Sequence, residues 1–281
     1  MARPAERPVW RGIVPNFSHH ARKSRLEFGP ISCFNGPCPP PVHRGGTLAP
    51  FAASEAMSST SETDYTEARQ SMVELIELYV QLSSEQTDKE RLDERVLAAM
   101  ADVPRHLFVP PELQHVAYAD SPIPIGCDKT VSQPFMVALM TDLLGIEEGD
   151  KLLEIGTGFG YHSAILALLA EEVFTVEIHA ELAQEGETRL AALGYENVQF
   201  KVGDGAQGWP EHAPFDRIMV AAAPELLPPA LLQQLKPGGR MVVPAGLLDQ
   251  QQLLVVDKAL DGRIVTRDIL QVVFSPLITS H

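Results

Sequence analysis

Lys151-Leu152-Leu153-Glu154-Ile155-Gly156-Thr157-Gly158-Phe159-Gly160-Tyr161 begins as a short apolar run interrupted by one acid. That pattern suits a strand buried on both faces of a parallel sheet. Three glycines follow at alternate positions, and His162 to Ala170 then reads as a helix. The unit is strand, glycine-rich turn, helix. Glycines there let the chain turn sharply and let a ligand lie against bare backbone.

The spacing narrows the ligand. A dinucleotide fingerprint is G-x-G-x-x-G, with the diphosphate seated on the helix N-terminus. Here the glycines fall as G-x-G-x-G, and Glu154 stands two residues before the first. An acid beside the turn repels a diphosphate. It suits a ligand that carries a cation, such as the amino and sulfonium groups of S-adenosylmethionine. The plain alternative is an ordinary βα turn of an α/β protein.

Composition sets outer limits. The chain has 281 residues, 45% of them hydrophobic, enough for one good-sized domain or two small ones. A net charge of -15 argues against a nucleic-acid surface and against a basic membrane anchor. No apolar run approaches the ~20 residues of a membrane span. Three cysteines (Cys33, Cys38, Cys127) are too few for a disulfide scaffold, so a reducing, cytoplasmic setting is expected. Cys33 and Cys38 could pair, but no His/Cys set stands near them at metal-site spacing, and no metal is expected.

Residues 1–56 differ in composition from the rest of the chain. They hold seven Lys/Arg against three acids, leaving 15 basic and 34 acidic residues beyond them. The segment is rich in Pro and Gly and lacks periodicity, so a disordered extension is expected, with the folded domain at 57–281. It has no apolar core of a secretory signal, and its prolines disfavour an amphipathic transit helix. Met57 would also make an ordinary start.

From Asp64 the chain turns helical, with Met72, Leu75, Ile76, Tyr79 and Val80 at helical spacing. A second helix is expected over Arg91 to Ala101, and the two should cap the main sheet. Ser121 to Gly126 reads as extended because of its prolines. Thr130-Val131-Ser132-Gln133-Pro134 then opens a helix, with Pro134 in its first turn. Ser132 is either the cap of that helix or a hydroxyl held at its positive end, able to meet an anion.

After the glycine turn a βα rhythm continues. Val173 to Glu177 is a strand ending in an acid, the usual place for a contact to ribose hydroxyls. Glu181 to Leu193 is a helix stopped by Gly194. Val198 to Val202 is a strand followed by Gly203-Asp204-Gly205, a tight turn at a strand's C-terminal end. Turn chemistry alone would explain Glu177 or Asp204 singly. Glu154, Glu177 and Asp204 in order, each at a strand, point to a nucleoside site. Further strands are expected at Phe215–Val220, Arg240–Pro244, Gln252–Asp257 and Arg267–Phe274, with a helix from Pro229 to Leu235. Asp261-Gly262 is a hairpin signal.

From about Arg69 to Leu277 the chain resembles protein-L-isoaspartate O-methyltransferases. The resemblance lies in Val103 to Pro110, Thr130 to Pro134, Leu153 to Tyr161, Gly203 to Gly205 and Leu235 to Arg240. The glycine turn is common to many class I methyltransferases, and Thr-Val-Ser-Gln-Pro is what points to this family. The resemblance implies an α/β, Rossmann-like sheet with helices on both faces and an N-terminal helical cap. It implies S-adenosyl-L-methionine as cofactor, held by Thr130, Val131, Glu154, Gly156, Thr157, Gly158, Gly160, Glu177, Asp204, Gly205 and Gln252, and Ser132 as the catalytic residue. Gln250 and Gln251 adjoin Gln252, which leaves its register open. Cys127-Asp128-Lys129 departs from the usual Gly or His-Gly, and Phe135 stands where some members have His or Tyr. The implied reaction is methylation of the free α-carboxylate of L-isoaspartyl residues in damaged proteins and peptides. A monomer is expected, and the net charge argues for no nucleic-acid or membrane partner. Rival readings are an NAD-linked oxidoreductase, which the glycine spacing disfavours, a non-catalytic S-adenosylmethionine-binding regulator, and a methyltransferase for another carboxylate.

Overall fold

The computed structural model describes residues 62–248 and 250–279. The expectation for residues 1–56, and the cysteines Cys33 and Cys38, lie outside the described residues.

The first helix, α1, is Glu62–Leu82, and Met72, Ile76, Tyr79 and Val80 are its buried face. A single turn, α2 (Ser84–Thr87), leads to α3 (Glu94–Asp102). The start of α3 lies three residues later than its apolar spacing suggests, because Asp93 caps it by accepting from the Arg95 N–H at 2.8 Å. The Asp93 N–H in turn donates to Asp142 Oδ1 at 2.6 Å. Two 3-10 segments, Arg105–Phe108 and Pro111–Val116, precede a small antiparallel hairpin of β1 (Ile123–Gly126) and β2 (Lys129–Val131). Helix α4 (Pro134–Leu144) is buried along its whole length and ends on Gly145.

Next come β3 (Lys151–Ile155), α5 (Tyr161–Ala167), β4 (Glu172–Glu177), α6 (Ala180–Ala192), β5 (Val198–Val202), β6 (Phe215–Val220), α7 (Pro229–Gln234), β7 (Leu235–Ala245), β8 (Gln252–Lys258) and β9 (Ile264–Gln271). The seven strands β3 to β9 form one sheet in the order β5-β4-β3-β6-β7-β8-β9. The first five pair in parallel, while β8 and β9 add an antiparallel meander.

Alternation along the strands divides the core. Leu152, Val173, Met219 and Val242 pack under α4, α5 and α6, in a cluster that α1 and α3 extend. Leu153, Ile155, Phe174, Ile218 and Met241 face the other way, toward Leu231 of α7 and Trp209. Helices thus cover both faces, unevenly. The N-terminal helices reach the sheet mainly through α4: α1 and α3 pack on α4, and α4 lies on β6 and β7.

Two strands differ from expectation. β7 starts at Leu235, but its ladder to β6 jumps from Phe215↔Leu235 to Arg217↔Arg240. Lys236 to Gly239 therefore bulge within the strand instead of standing outside it, with Gly238 at φ +86°. β9 ends at Gln271, not Phe274. Beyond it the Gln251 side chain takes the place of a partner strand: its Oε1 accepts from the Phe274 N–H at 2.6 Å, and its Nε2 donates to the Phe274 carbonyl at 3.1 Å.

Candidate active site

Strand order reverses between β3 and β6, with β4 and β5 to one side and β7 to the other. Ligands of open α/β sheets lie outside the strand C-termini at such a point. A cavity of about 900 Å³ opens there. Its walls are Ile155 to Phe159 at the end of β3, Val176 to Ile178 at the end of β4, Gly205 after β5, and Ala221 and Ala222 after β6. The facing wall is Lys129 to Gln133 with the start of α4. Val272 to Ile278, the segment after β9, closes a third side.

The glycine turn is built from β3 and β4 together. Gly156 has φ +98°, and its N–H donates to the Val176 carbonyl at 2.8 Å. Gly160 has φ +89° and stands just ahead of α5, where a Cβ would meet Leu190 Cδ1 at 2.9 Å. Only glycine fits both the conformation and that space. The Glu177 carboxylate accepts from the Gly158 N–H at 3.0 Å and from the His179 N–H at 3.0 Å. Each of its oxygens keeps a second lone pair for hydroxyl donors of a ligand. Gly205 packs so closely that a side chain there would overlap Ile155 Cγ2. A glycine floor beside a carboxylate-ended strand fits a nucleoside with a polar tail.

Glu154 occupies a different place from the one its spacing suggests. It is fully buried and lies off the cavity wall. Its Oε2 accepts from the Ser163 hydroxyl and from Thr175 Oγ1, the latter at 2.7 Å, and Thr175 Oγ1 lies 2.6 Å from Thr157 Oγ1. Its chain of contacts runs to the glycine turn from below. Burial pushes its pKa up to about 7, with Glu177 adding in the same direction, while the Ser163 and Thr175 bonds oppose. Asp204 is also set back from the wall: its Oδ1 accepts from the Ala206 N–H at 2.9 Å and shapes the turn that presents Gly205. Gln252 opens β8 away from the cavity. The neighbouring Gln251 serves the site instead, by holding Phe274 on the third wall. Gln251 lies just ahead of β8 and Gln252 opens it, and three consecutive glutamines hide that boundary in the sequence.

Thr130, Val131, Ser132, Gly156, Thr157, Gly158, Glu177 and Gly205 all stand on the cavity wall. Gly160 stands behind it. Ser132 is not the helix cap. Gln133 occupies that position and makes no side-chain cap bond. The Phe135 N–H is instead taken by Asp120 Oδ1 at 2.9 Å. The Ser132 hydroxyl forms no hydrogen bond among the described residues.

Among the described residues the wall carries four ionisable side chains, Lys129, Tyr161, His162 and Glu177. Burial drives the His162 pKa down to about 3, so the imidazole is neutral, and its Nε2 lies 2.9 Å from Thr141 Oγ1. Burial raises Tyr161 to about 12, the nearby Arg105 opposing. Neither is a base near neutral pH.

Sheet order, glycine turn and acid-ended β4 together define a Rossmann-like fold of the class I methyltransferase kind. Comparison with known proteins narrows this. The profile of the family described as Protein-L-isoaspartate(D-aspartate) O-methyltransferase matches residues 79–281, and the chain belongs to that family. It is 52% identical over 237 residues to Protein-L-isoaspartate O-methyltransferase 1 of Polaromonas sp. strain JS666, a match covering 84% of this chain and 95% of that protein. It is also 52% identical over 182 residues to a protein-L-isoaspartate O-methyltransferase of Gloeobacter violaceus, covering 65% of this chain and 89% of that one. A solved protein-L-isoaspartate O-methyltransferase superposes with a TM-score of 0.62 at 27% identity, over 76% of this chain and 66% of that one.

Proposed function

We propose that this chain transfers the methyl group of S-adenosylmethionine to the free α-carboxylate of L-isoaspartyl residues in damaged proteins and peptides, the first step of their repair. The observation that carries the reading is one cavity lined on one side by the glycine turn and Glu177 and on the other by Ser132. The same reading takes the enzyme as a cytoplasmic monomer with no nucleic-acid partner. A net charge of -15 supports the last point.

S-adenosylmethionine, when bound, supplies an electrophilic methyl group on a sulfonium. The chain's own residues do the rest. Glu177 would accept from the ribose hydroxyls, the Gly156–Gly158 backbone and Gly205 would hold the nucleoside, and Asp204 would shape the turn that presents Gly205. Thr130 and Val131 close the site from the facing wall. Glu154 acts from beneath, through Thr175 and Thr157. Ser132 donates its hydroxyl to the substrate carboxylate or its neighbouring amide. An α-carboxyl group is ionised at neutral pH, with an ordinary pKa of about 3.3–3.7, so no base has to remove a proton. That agrees with a wall whose histidine is held neutral. Catalysis then rests on holding one carboxylate oxygen in line with the methyl, which can contribute ~7 kcal/mol or more. Carboxylate and sulfonium neutralise each other during transfer, so a dry cavity favours the step.

The test is transfer of labelled methyl to two peptides that differ only in isoaspartate against aspartate. Labelling of the isoaspartyl peptide alone is expected. Equal labelling of both, or of neither, overturns the assignment.

A further inference from the structure

Two residues that stand off the cavity wall hold the chain at and just beyond Ser132: Arg105 bonds the Ser132 carbonyl, and Asp120 bonds Gln133 and Phe135. Arg105 is fully buried. Its Nε donates to the Ala117 carbonyl at 2.7 Å, and its Nη2 donates to the Ser132 carbonyl at 2.8 Å. Its guanidinium lies over the Tyr161 ring, 4.5 Å from the centroid. Asp120 spans the next three residues. Its Oδ2 accepts from Gln133 Nε2 at 2.6 Å and its Oδ1 from the Phe135 N–H at 2.9 Å. Ser132 thus sits between a bonded carbonyl of its own and a helix start fastened by a carboxylate from upstream. No serine cap is left to do that work, and the hydroxyl stays free for the cavity.

A buried guanidinium on two carbonyls and a carboxylate on two N–H groups are charge-assisted contacts, the stronger kind. They cost desolvation, which only a fixed geometry returns. The two groups also attract each other.

We infer that Arg105 and Asp120 are positioning residues for methyl transfer: they hold the Ser132 peptide so that its hydroxyl meets the substrate, and they contribute little to cofactor binding. The inference rests on the role proposed for Ser132.

The experiment is a double-mutant cycle on the full chain, with isoaspartyl peptide as substrate and S-adenosylhomocysteine as calorimetric probe. Asp120→Ala should lower turnover per binding site roughly 5- to 50-fold. S-adenosylhomocysteine affinity should stay within about threefold, at the wild-type number of sites per chain. Asp120→Asn should recover most of the loss, since its carboxamide oxygen still accepts from the Phe135 N–H. Adding Ser132→Ala to Asp120→Ala should lower turnover no more than about twofold below the worse single variant, because both act on one hydroxyl. Arg105→Lys, which keeps charge but loses the fork, should show the same non-additivity. If the two losses multiply, or the number of binding sites falls in step with turnover, the residues are structural and the inference fails. If Asp120→Ala does not fold, Gln133→Met replaces it, with an expected loss of roughly 2- to 5-fold. If Ser132→Ala alone turns over like wild type, the role of Ser132 fails and takes this inference with it. A wild type inactive on isoaspartyl peptide overturns the proposed function instead.

Discussion

Gly156, Thr157 and Gly158 follow β3 and Glu177 ends β4, two strands paired residue for residue, Lys151↔Glu172 through Ile155↔Val176, and Glu177 bonds back to the Gly158 N–H. Across the cavity, Ser132 is held by Arg105 from 27 positions away, and Phe135 by Asp120 from 15. On the third side, Phe274 is held in the same way by the Gln251 side chain from 23 positions away. The sheet wall is therefore built by register, and the facing wall by side chains that bond distant backbone. Damage to the first should disturb fold and cofactor together. Damage to the second should leave both nearly intact and reduce turnover.

The largest effect is expected at the sheet wall. Gly205→Val forces a branched side chain into Ile155, and overpacking of this kind costs about 3 kcal/mol. A thermal melt should show a fall of the order of 6–12 °C for a domain of this size. Unchanged melting would mean that Gly205 is not packed against the sheet.

Next is the pH response of Glu154. Its folded pKa of about 7 lies above the ordinary 4.5, so folding takes up a proton between those values. Stability from this group is fully present below about pH 4.5 and falls as pH rises to about 7, by ~2–3 kcal/mol. Glu154→Gln removes the titration. The melting temperature of the variant minus that of wild type should rise between pH 5 and pH 8. A flat difference would show that the carboxylate is not desolvated beneath the turn.

Glu177→Ala should weaken S-adenosylhomocysteine binding by about 1–3 kcal/mol, roughly 5- to 150-fold, and should lower the melting temperature as well, since the Gly158 and His179 N–H groups lose their acceptor. Calorimetry gives the number, and a variant that binds normally would remove Glu177 from the cofactor wall. Smallest is the N-terminal segment. A chain that begins at Met57 should melt within a few degrees of the full chain and keep its activity. A larger drop would show that residues 1–56 pack on the domain.

The same contrast separates what is legible in the sequence from what is not. The strand at Lys151–Ile155, the positive-φ glycines and the acid ending β4 are local patterns, and local patterns survive in a sequence. Glu154 is legible as important but not in its place, because alternation sends its side chain under α5 toward Ser163. The bulge at Lys236–Gly239 looks like a helix stop, since glycine marks both. Arg105 stands in a stretch that carries the family resemblance, but its role and that of Asp120 are hidden, since nothing local shows that a residue at 105 or 120 will bond one at 132 or 135. The Val272–Ile278 wall escapes for a related reason: Gln251 ends β9 early through a side-chain contact that periodicity does not report.

The contrast between the walls is tested most directly by Ser132→Ala, measured as labelled-methyl transfer to isoaspartyl peptide while cofactor concentration is varied. A kcat lower by roughly 5- to 150-fold is expected, the cost of about 1–3 kcal/mol for one aligned hydroxyl, while KM for S-adenosylmethionine stays within about threefold. An unchanged kcat, or a KM for the cofactor that rises as much as kcat falls, would contradict the division of labour between the two walls.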